Sequence, residues 1–360
     1  MAKIVIAGGG TGGHVYPALA IGQSLVDEGV SKSDIVYIGS KHSIEKQVIP
    51  ANGFKLKVLP GRGLNRSEWL KNIWHAILII FSCLKVLVSF LFFRPKVIVG
   101  VGGYASMPAI AAGSILRIPM FVHEQNAVVT RSNKIAIKFG ATLLTSRPDT
   151  KGQGKNYEYV GLPLRKTIGE AIEVREKYLN EPKEKPQVLV MGGSLGSLVI
   201  NNTTIEMVEK YKDKIDFDIV HIAGKSDFQR VSTIYDKLEV LIDCREFDEN
   251  LIEVVAKSDI VVSRAGAATC AELETLGVKS ILIPLPSAPG DHQTLNAQSL
   301  CDLGLGIVIK QNTLSSDLLF ETIKNNLDDN KCKPNEFHLD AAKRISQIIK
   351  TIMEEKHVSN

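Results

Sequence analysis

Residues 3–25, KIVIAGGGTGGHVYPALAIGQSL, decide the fold class by the order of their textures. Ile4–Ala7 is a short apolar run with no polar alternation, the mark of a strand buried on both faces of a parallel sheet. GGGTGGH (8–14) follows, with five glycines in seven residues, and Val15–Leu25 then reads as a helix. Strand, glycine turn and helix in that order open a doubly wound α/β domain. The first amides of such a helix and its dipole favour an anion, and glycine lets a ligand come close because no Cβ intervenes.

The same texture recurs outward from this stretch. DIVYIG (34–39), KVIVGVGG (96–103), MFVHE (120–124) and ATLLTS (141–146) are further buried-strand candidates. After the charged break PKEKPQ (182–187) the pattern restarts with VLVMGGSLGSLVINN (188–202), then FDIVHIAG (217–224), DIVVSRAG (259–266) and SILIPLP (280–286). The expectation is two Rossmann-like halves, 1–161 and 162–336, joined near EYVGLPLR (158–165). A closing helix is expected at 337–355, with Leu339, Ala342, Ile345, Ile349 and Ile352 at helical spacing. It could pack on either half.

At 360 residues the chain has room for two domains. Its net charge of +4 is well short of a nucleic-acid-binding balance and suits an anionic substrate or membrane surface. Cys83, Cys244, Cys270, Cys301 and Cys332 are odd in number and form no C-x-x-C pair, which argues against a disulfide framework or a zinc site. The first residues lack a signal-peptide core, so the chain is expected to stay in the cytoplasm.

Gly8, Gly10 and Gly13 satisfy G-x-G-x-x-G, yet a dinucleotide site needs an acid after the second strand. Here that strand ends YIGSKHS; Asp34 precedes it and Glu45 lies beyond it, which speaks against an NAD-dependent oxidoreductase. His14 sits where a neutral imidazole could act as general base, or simply pack. The amides of GGSLGS and the Ser194 hydroxyl suit phosphate oxygens. His123–Asn126 places four polar side chains after a strand, Glu272 could accept two ribose hydroxyls, and Asp291, His292, Gln293 and Asn296 suit sugar hydroxyls better than a metal. No H-E-x-x-H, G-x-S-x-G or P-loop is present.

Seven motifs in order carry a resemblance. They are GGGTGGH (8–14), GVGGY (100–104), HEQNA (123–127), VGxPxR (160–165), GGSxG (192–196), RxGAxTxxEL (264–273) and DHQxxNA (291–297). With them the chain resembles the bacterial peptidoglycan glycosyltransferases of family 28, which add N-acetylglucosamine to undecaprenyl-diphospho-muramoyl-pentapeptide, turning lipid I into lipid II. The resemblance implies a GT-B type fold, two doubly wound domains facing a cleft, with UDP-N-acetylglucosamine on the C-terminal one and the closing helix, 337–355, crossing back to the first domain. It implies that Ser194 binds diphosphate, Glu272 the ribose and Gln293 the sugar, with Arg165 near the donor. Arg264, Asn201 and the backbone of Ala267, Ala268, Thr269, Cys270 and Ala271 complete the donor side. Thr11, Gly12, Gly13, His14, Tyr104, Glu124 and Asn126 line the acceptor side, with His14 the first choice of base and Glu124 the second.

The chain departs from that family at three places. It has Leu162 where GNP is usual in the family, GGSLGS where GGSQGA is usual, and Thr130 near a usual glycine. No cofactor or metal is expected, because no Asp-x-Asp lies near the diphosphate. A diacylglycerol-type lipid glycosyltransferase is the neighbouring alternative, and the HEQNA loop favours the muramoyl acceptor.

WHAILIIFSCLKVLVSFLFF (74–93) carries a single charge, Lys85. It reads as a buried helix, as a helix with an apolar face docked on anionic lipid, or as a span. A central Lys85, and basic residues at both ends (Arg66, Lys71, Arg94, Lys96), count against a span. A lipid acceptor favours docking, and with it a peripheral place on the cytoplasmic face of the cell membrane.

Overall fold

The computed structural model describes residues 3–41, 44–60, 69–193, 196–327 and 334–358, with the side chains of 69–76 and 356–358 left aside. The chain divides into two units, Met1–Arg165 with His338–Asn360, and Lys166–Phe337.

In the first unit the strands are β1 (Ile4–Ala7), β2 (Ile35–Ser40), β3 (Lys55–Leu59), β4 (Val97–Gly100), β5 (Met120–Glu124), β6 (Thr142–Thr145) and β7 (Tyr157–Tyr159). Its helices are α1 (Gly12–Asp27), α2 (Glu45–Ala51), α3 (Trp69–Phe93), α4 (Met107–Ile115) and α5 (Arg131–Lys138). The strands form one sheet, ordered β3-β2-β1-β4-β5-β6-β7, with every pairing parallel. The pleat sends Ile4 and Ile6 to one face, with Ile21 and Leu25 of α1, and Val5 and Ala7 to the other, with Val86 and Phe90 of α3. Both faces are covered, which is why β1 is apolar throughout.

The second unit repeats the plan. Helix α6 (Thr167–Asn180) leads into β8 (Gln187–Met191), α7 (Leu198–Tyr211), β9 (Asp218–Ile222), α8 (Phe228–Leu238), β10 (Asp243–Arg245) and α9 (Leu251–Ala256). Then come β11 (Ile260–Ser263), α10 (Ala267–Leu276), β12 (Lys279–Leu282), α11 (His292–Asp302), β13 (Gly306–Val308) and α12 (Ser316–Lys324). The parallel sheet runs β10-β9-β8-β11-β12-β13.

The closing helix, α13 (Ala341–Val358), packs on the first unit: Ile345 and Ile349 are fully buried in the core that holds α1. Lys350 Nζ donates to the Glu28 carbonyl at the end of α1, 3.0 Å away.

Helix α3 is not wholly buried. Val86 and Phe90 are buried, while Ile77, Ile80, Phe81, Leu84, Val88, Leu91 and Phe92 are exposed on the other side. Among the described residues no helix is long and apolar enough to cross a membrane. Arg66 lies outside the described residues, as does the side chain of Lys71.

Candidate active site

In each sheet the strand order reverses once, between β1 and β4 and between β8 and β11. Loops leaving the carboxyl ends of such strands diverge there and leave a crevice, which is where doubly wound sheets bind ligands. The glycine-rich turns of the sequence lie at these two places.

At the first, the glycines divide into two kinds. A Cβ on Gly8 would lie 2.4 Å from Val101 Cγ2 and 2.8 Å from the Gly102 carbonyl, and one on Gly103 would lie 2.6 Å from the Gly9 carbonyl. The turns after β1 and β4 therefore pack backbone against backbone. Gly10 has nothing within 4 Å of such an atom, and Gly13 has only Thr11 Oγ1 at 3.9 Å. His14 N–H and Val15 N–H both donate to the Thr11 carbonyl at 3.1 Å, so the amides of Gly12 and Gly13 precede the helical ladder.

His14, half-buried, has Nδ1 3.2 Å from Thr11 Oγ1. Its ring lies over Gly102, where a Cβ would be 3.0 Å from both Cδ2 and Nε2. Tyr104 follows in a short 3-10 turn, half-buried. Thr11, His14 and Tyr104 are thus gathered at one end of the sheet.

The HEQNA loop is put to a different use from the one expected. Glu124 is fully buried. Its Oε1 accepts from Asn126 N–H (3.1 Å) and Nδ2 (3.0 Å), and its Oε2 from Thr130 N–H (2.7 Å), Thr130 Oγ1 (2.8 Å) and Asn133 Nδ2 (2.8 Å). A carboxylate with five donors on it holds a loop and is no general base, which corrects its second-choice role. Thr130 supplies two of those donors, and the hydroxyl is the one its side chain adds. Asn126 is 9% exposed, with its amide nitrogen committed to Glu124.

His123 is also structural. Burial pushes it down to about 4, so it is neutral. Nε2 lies 2.8 Å from the Gly161 carbonyl and donates to it, which leaves Nδ1 to accept from Gln125 Nε2 at 3.2 Å. Leu162, another departure, is buried and its N–H donates to His338 Nδ1 at 3.0 Å. Arg165 stacks on Tyr16 of α1, guanidinium to ring centre 4.4 Å, within the first unit.

At the second crevice Ser194 and Leu195 lie outside the described residues. Ser197, a departure from the family pattern, caps α7 by accepting from Ile200 N–H at 3.5 Å. Arg264, at the end of β11, is half-buried and bridges the neighbouring loops. It donates to Ser197 Oγ (2.9 Å), the Ile283 carbonyl (3.0 Å) and Gln311 Oε1 (2.8 Å). All three acceptors are neutral. Desolvation pushes its pKa down.

Helix α10 begins at Ala267 after Gly266 with no side-chain cap, and Cys270 N–H is already bonded to the Gly266 carbonyl at 2.9 Å. Only the Ala267, Ala268 and Thr269 amides precede the ladder. Cys270 and Ala271 are buried at 2% and 4% and their amides belong to the helix, which narrows the expected run of five. Glu272 is half-buried one turn further on. Gln293 Oε1 accepts from Leu285 N–H at 2.9 Å, and Asn296 Nδ2 donates to the Ala265 carbonyl at 3.1 Å.

Asn201 requires a correction as a ligand-binding side chain. It is fully buried, and its Nδ2 donates to the Ala223 carbonyl (2.9 Å) and to Asp227 Oδ2 (2.7 Å). Its Oδ1 accepts from His221 Nε2 (3.1 Å), and His221 Nδ1 accepts from Tyr235 (2.7 Å). Asn201 thus fixes the Ala223 carbonyl, which would lie 2.6 Å from a Cβ on Gly196. Nothing in the local sequence distinguishes such an asparagine from one that faces a ligand.

Among the described residues no group of three or more His, Cys, Asp or Glu side chains is placed to hold a metal. The Asp-x-Asp at Asp216–Asp218 enters β9 at its amino end, opposite the crevice.

Residues 4–145 match the glycosyltransferase family 28 N-terminal domain, and residues 187–352 the glycosyltransferase family 28 C-terminal domain. The UDP-N-acetylglucosamine--N-acetylmuramyl-(pentapeptide) pyrophosphoryl-undecaprenol N-acetylglucosamine transferase of Alkalilimnicola ehrlichii is 34% identical, over 91% of this chain and 90% of that protein. The chain belongs to glycosyltransferase family 28. The enzyme of the same name from a Thermoanaerobacter species is 33% identical over 97% of this chain and 100% of its own. Among solved structures, Acinetobacter baumannii MurG superposes with a TM-score of 0.78 at 22% identity, covering 98% of this chain and 100% of that one. The kitacinnamycin glycotransferase superposes with 0.66 at 15%, covering 98% of each. The fold is GT-B type.

Proposed function

We propose that this chain transfers N-acetylglucosamine from UDP-N-acetylglucosamine to the C4 hydroxyl of undecaprenyl-diphospho-muramoyl-pentapeptide, with inversion. Kinship with enzymes of that name, 34% identical over nine-tenths of both chains, carries this reading. The first unit takes the acceptor and the second the donor.

His14 removes the hydroxyl proton. The tautomer in which Nδ1–H donates to Thr11 Oγ1 makes Nε2, held against Gly102, the basic nitrogen. As the C1–O bond to UDP breaks, negative charge grows on the diphosphate. The Ala267–Thr269 amides, Ser194 and the Arg264 guanidinium meet it. Glu272 takes the ribose hydroxyls, and the Gln293 amide the sugar.

The exposed apolar face of α3, with Lys85 on it and Arg94 and Lys96 beyond its end, docks on anionic lipid from the cytoplasmic side. The test is incubation with radiolabelled UDP-N-acetylglucosamine and the lipid-linked acceptor. Labelled disaccharide lipid with release of UDP is expected; UDP release that is independent of the acceptor would overturn the reading.

A further inference from the structure

One buried carboxylate beside the first glycine turn has no place in that mechanism. Glu45 is the first residue of α2 and is 2% exposed. It reaches back to the corner between the ends of β1 and β2. Its Oε1 accepts from Ser40 N–H at 2.8 Å, and its Oε2 from Gly10 N–H at 3.4 Å.

Two glycines make room for it. A Cβ on Gly9 would lie 2.3 Å from Oε1, and one on Gly39 would lie 2.7 Å from Cγ. Gly8, Gly9 and Gly10 have φ of 146°, 152° and 109°, a backbone region that side-chain-bearing residues rarely enter. Three consecutive glycines are also the loosest backbone a chain can have, so their shape must be imposed from outside. On one side the β4 turn does this by contact. On the other side the Glu45 carboxylate does it, with a charge on Gly10 N–H. Thr11, Gly12, Gly13 and His14 are the next four residues.

We propose that Glu45 is a positioning residue for the acceptor loop, holding Gly9 and Gly10 so that Thr11–His14 presents its amides and imidazole in the reactive geometry. The inference rests on the acceptor reading of that loop. It also makes this turn a poorer anion site than one with all its amides open, because the Gly10 amide already faces a carboxylate. The acceptor contacts made here are therefore to sugar hydroxyls more than to phosphate.

Glu45→Gln keeps the volume and removes the charge, and its amide nitrogen cannot accept from a backbone N–H. The expected result is a fall of about 10- to 100-fold in kcat/KM for the lipid acceptor, the scale of a small misplacement of reacting groups. The Kd for UDP should stay within about twofold of wild type, and amide exchange at Gly10–His14 should quicken by about tenfold or more. A merely structural role would lower donor and acceptor parameters together, and that outcome overturns the proposal. So does an acceptor kcat/KM within twofold of wild type. If Glu45→Gln does not fold, Gly39→Ala, which displaces the side chain and leaves its charge, is read by the same criteria. Wild-type enzyme that transfers no sugar would remove the transferase reading, while the exchange rates still decide whether Glu45 holds the loop.

Discussion

At the scale of single residues, donors and acceptors decide what a polar group can do. The proposed base role of His14, whose Nδ1 lies 3.2 Å from Thr11 Oγ1, predicts that His14→Ala lowers kcat by about 10²- to 10⁴-fold with the Kd for UDP unchanged; near wild-type turnover would remove it as the base. Among the described residues Arg264 donates to neutral oxygens, and the proposed function gives its charge the donor diphosphate. Arg264→Gln should therefore weaken UDP by about tenfold or more, UMP less and uridine hardly at all, on the scale of a partly screened charge pair. Equal weakening of all three ligands would make Arg264 a purely structural clamp. Histidine in a glycine turn was legible in the sequence, because the turn itself announces open backbone. Glu124 and Asn201 were not, because five donors on a carboxylate and a buried amide bridge come from residues 2 to 26 positions away.

At the scale of elements, burial on two faces separates what could be read from what could not. The central strands are apolar throughout and stand out in the sequence. The four strands without such a signal, β3, β7, β10 and β13, are the four sheet edges, where exposed and half-buried positions mix. An edge strand owes its conformation to one neighbour's hydrogen bonds, and that neighbour is distant in sequence. Helix α3 shows the converse. Its composition announced an apolar helix, but only packing chose which side faces the core. Leu84→Glu with Phe92→Glu, both on the exposed side, should cut binding to anionic liposomes at low salt by about tenfold or more and leave UDP affinity intact. Unchanged liposome binding would refute the docking role.

At the scale of the whole molecule, each unit hides a histidine that its fold keeps neutral. Burial pushes His123 and His221 down to about 4 from an ordinary 6.5. Between those values the unfolded chain binds more protons, so their contribution is whole above about pH 6.5 and is lost as pH falls toward 4. From pH 7 to pH 5, where carboxylates hardly titrate, unfolding in urea should become easier by about 2 kcal/mol per histidine. A stability flat across that range would show that the imidazoles gain protons without unfolding.

The doubly wound class, the restart after PKEKPQ, the placing of glycine turns at strand ends and the family can all be read from the residues alone, because they are written in local texture and in motif order. Packing between distant segments settled which face of α3 is bare, which glycines serve packing and which have room for a side chain, and that Glu45 turns inward on the first turn. Each of these depends on partners far along the chain, and a carboxylate's role is set by the donors that reach it.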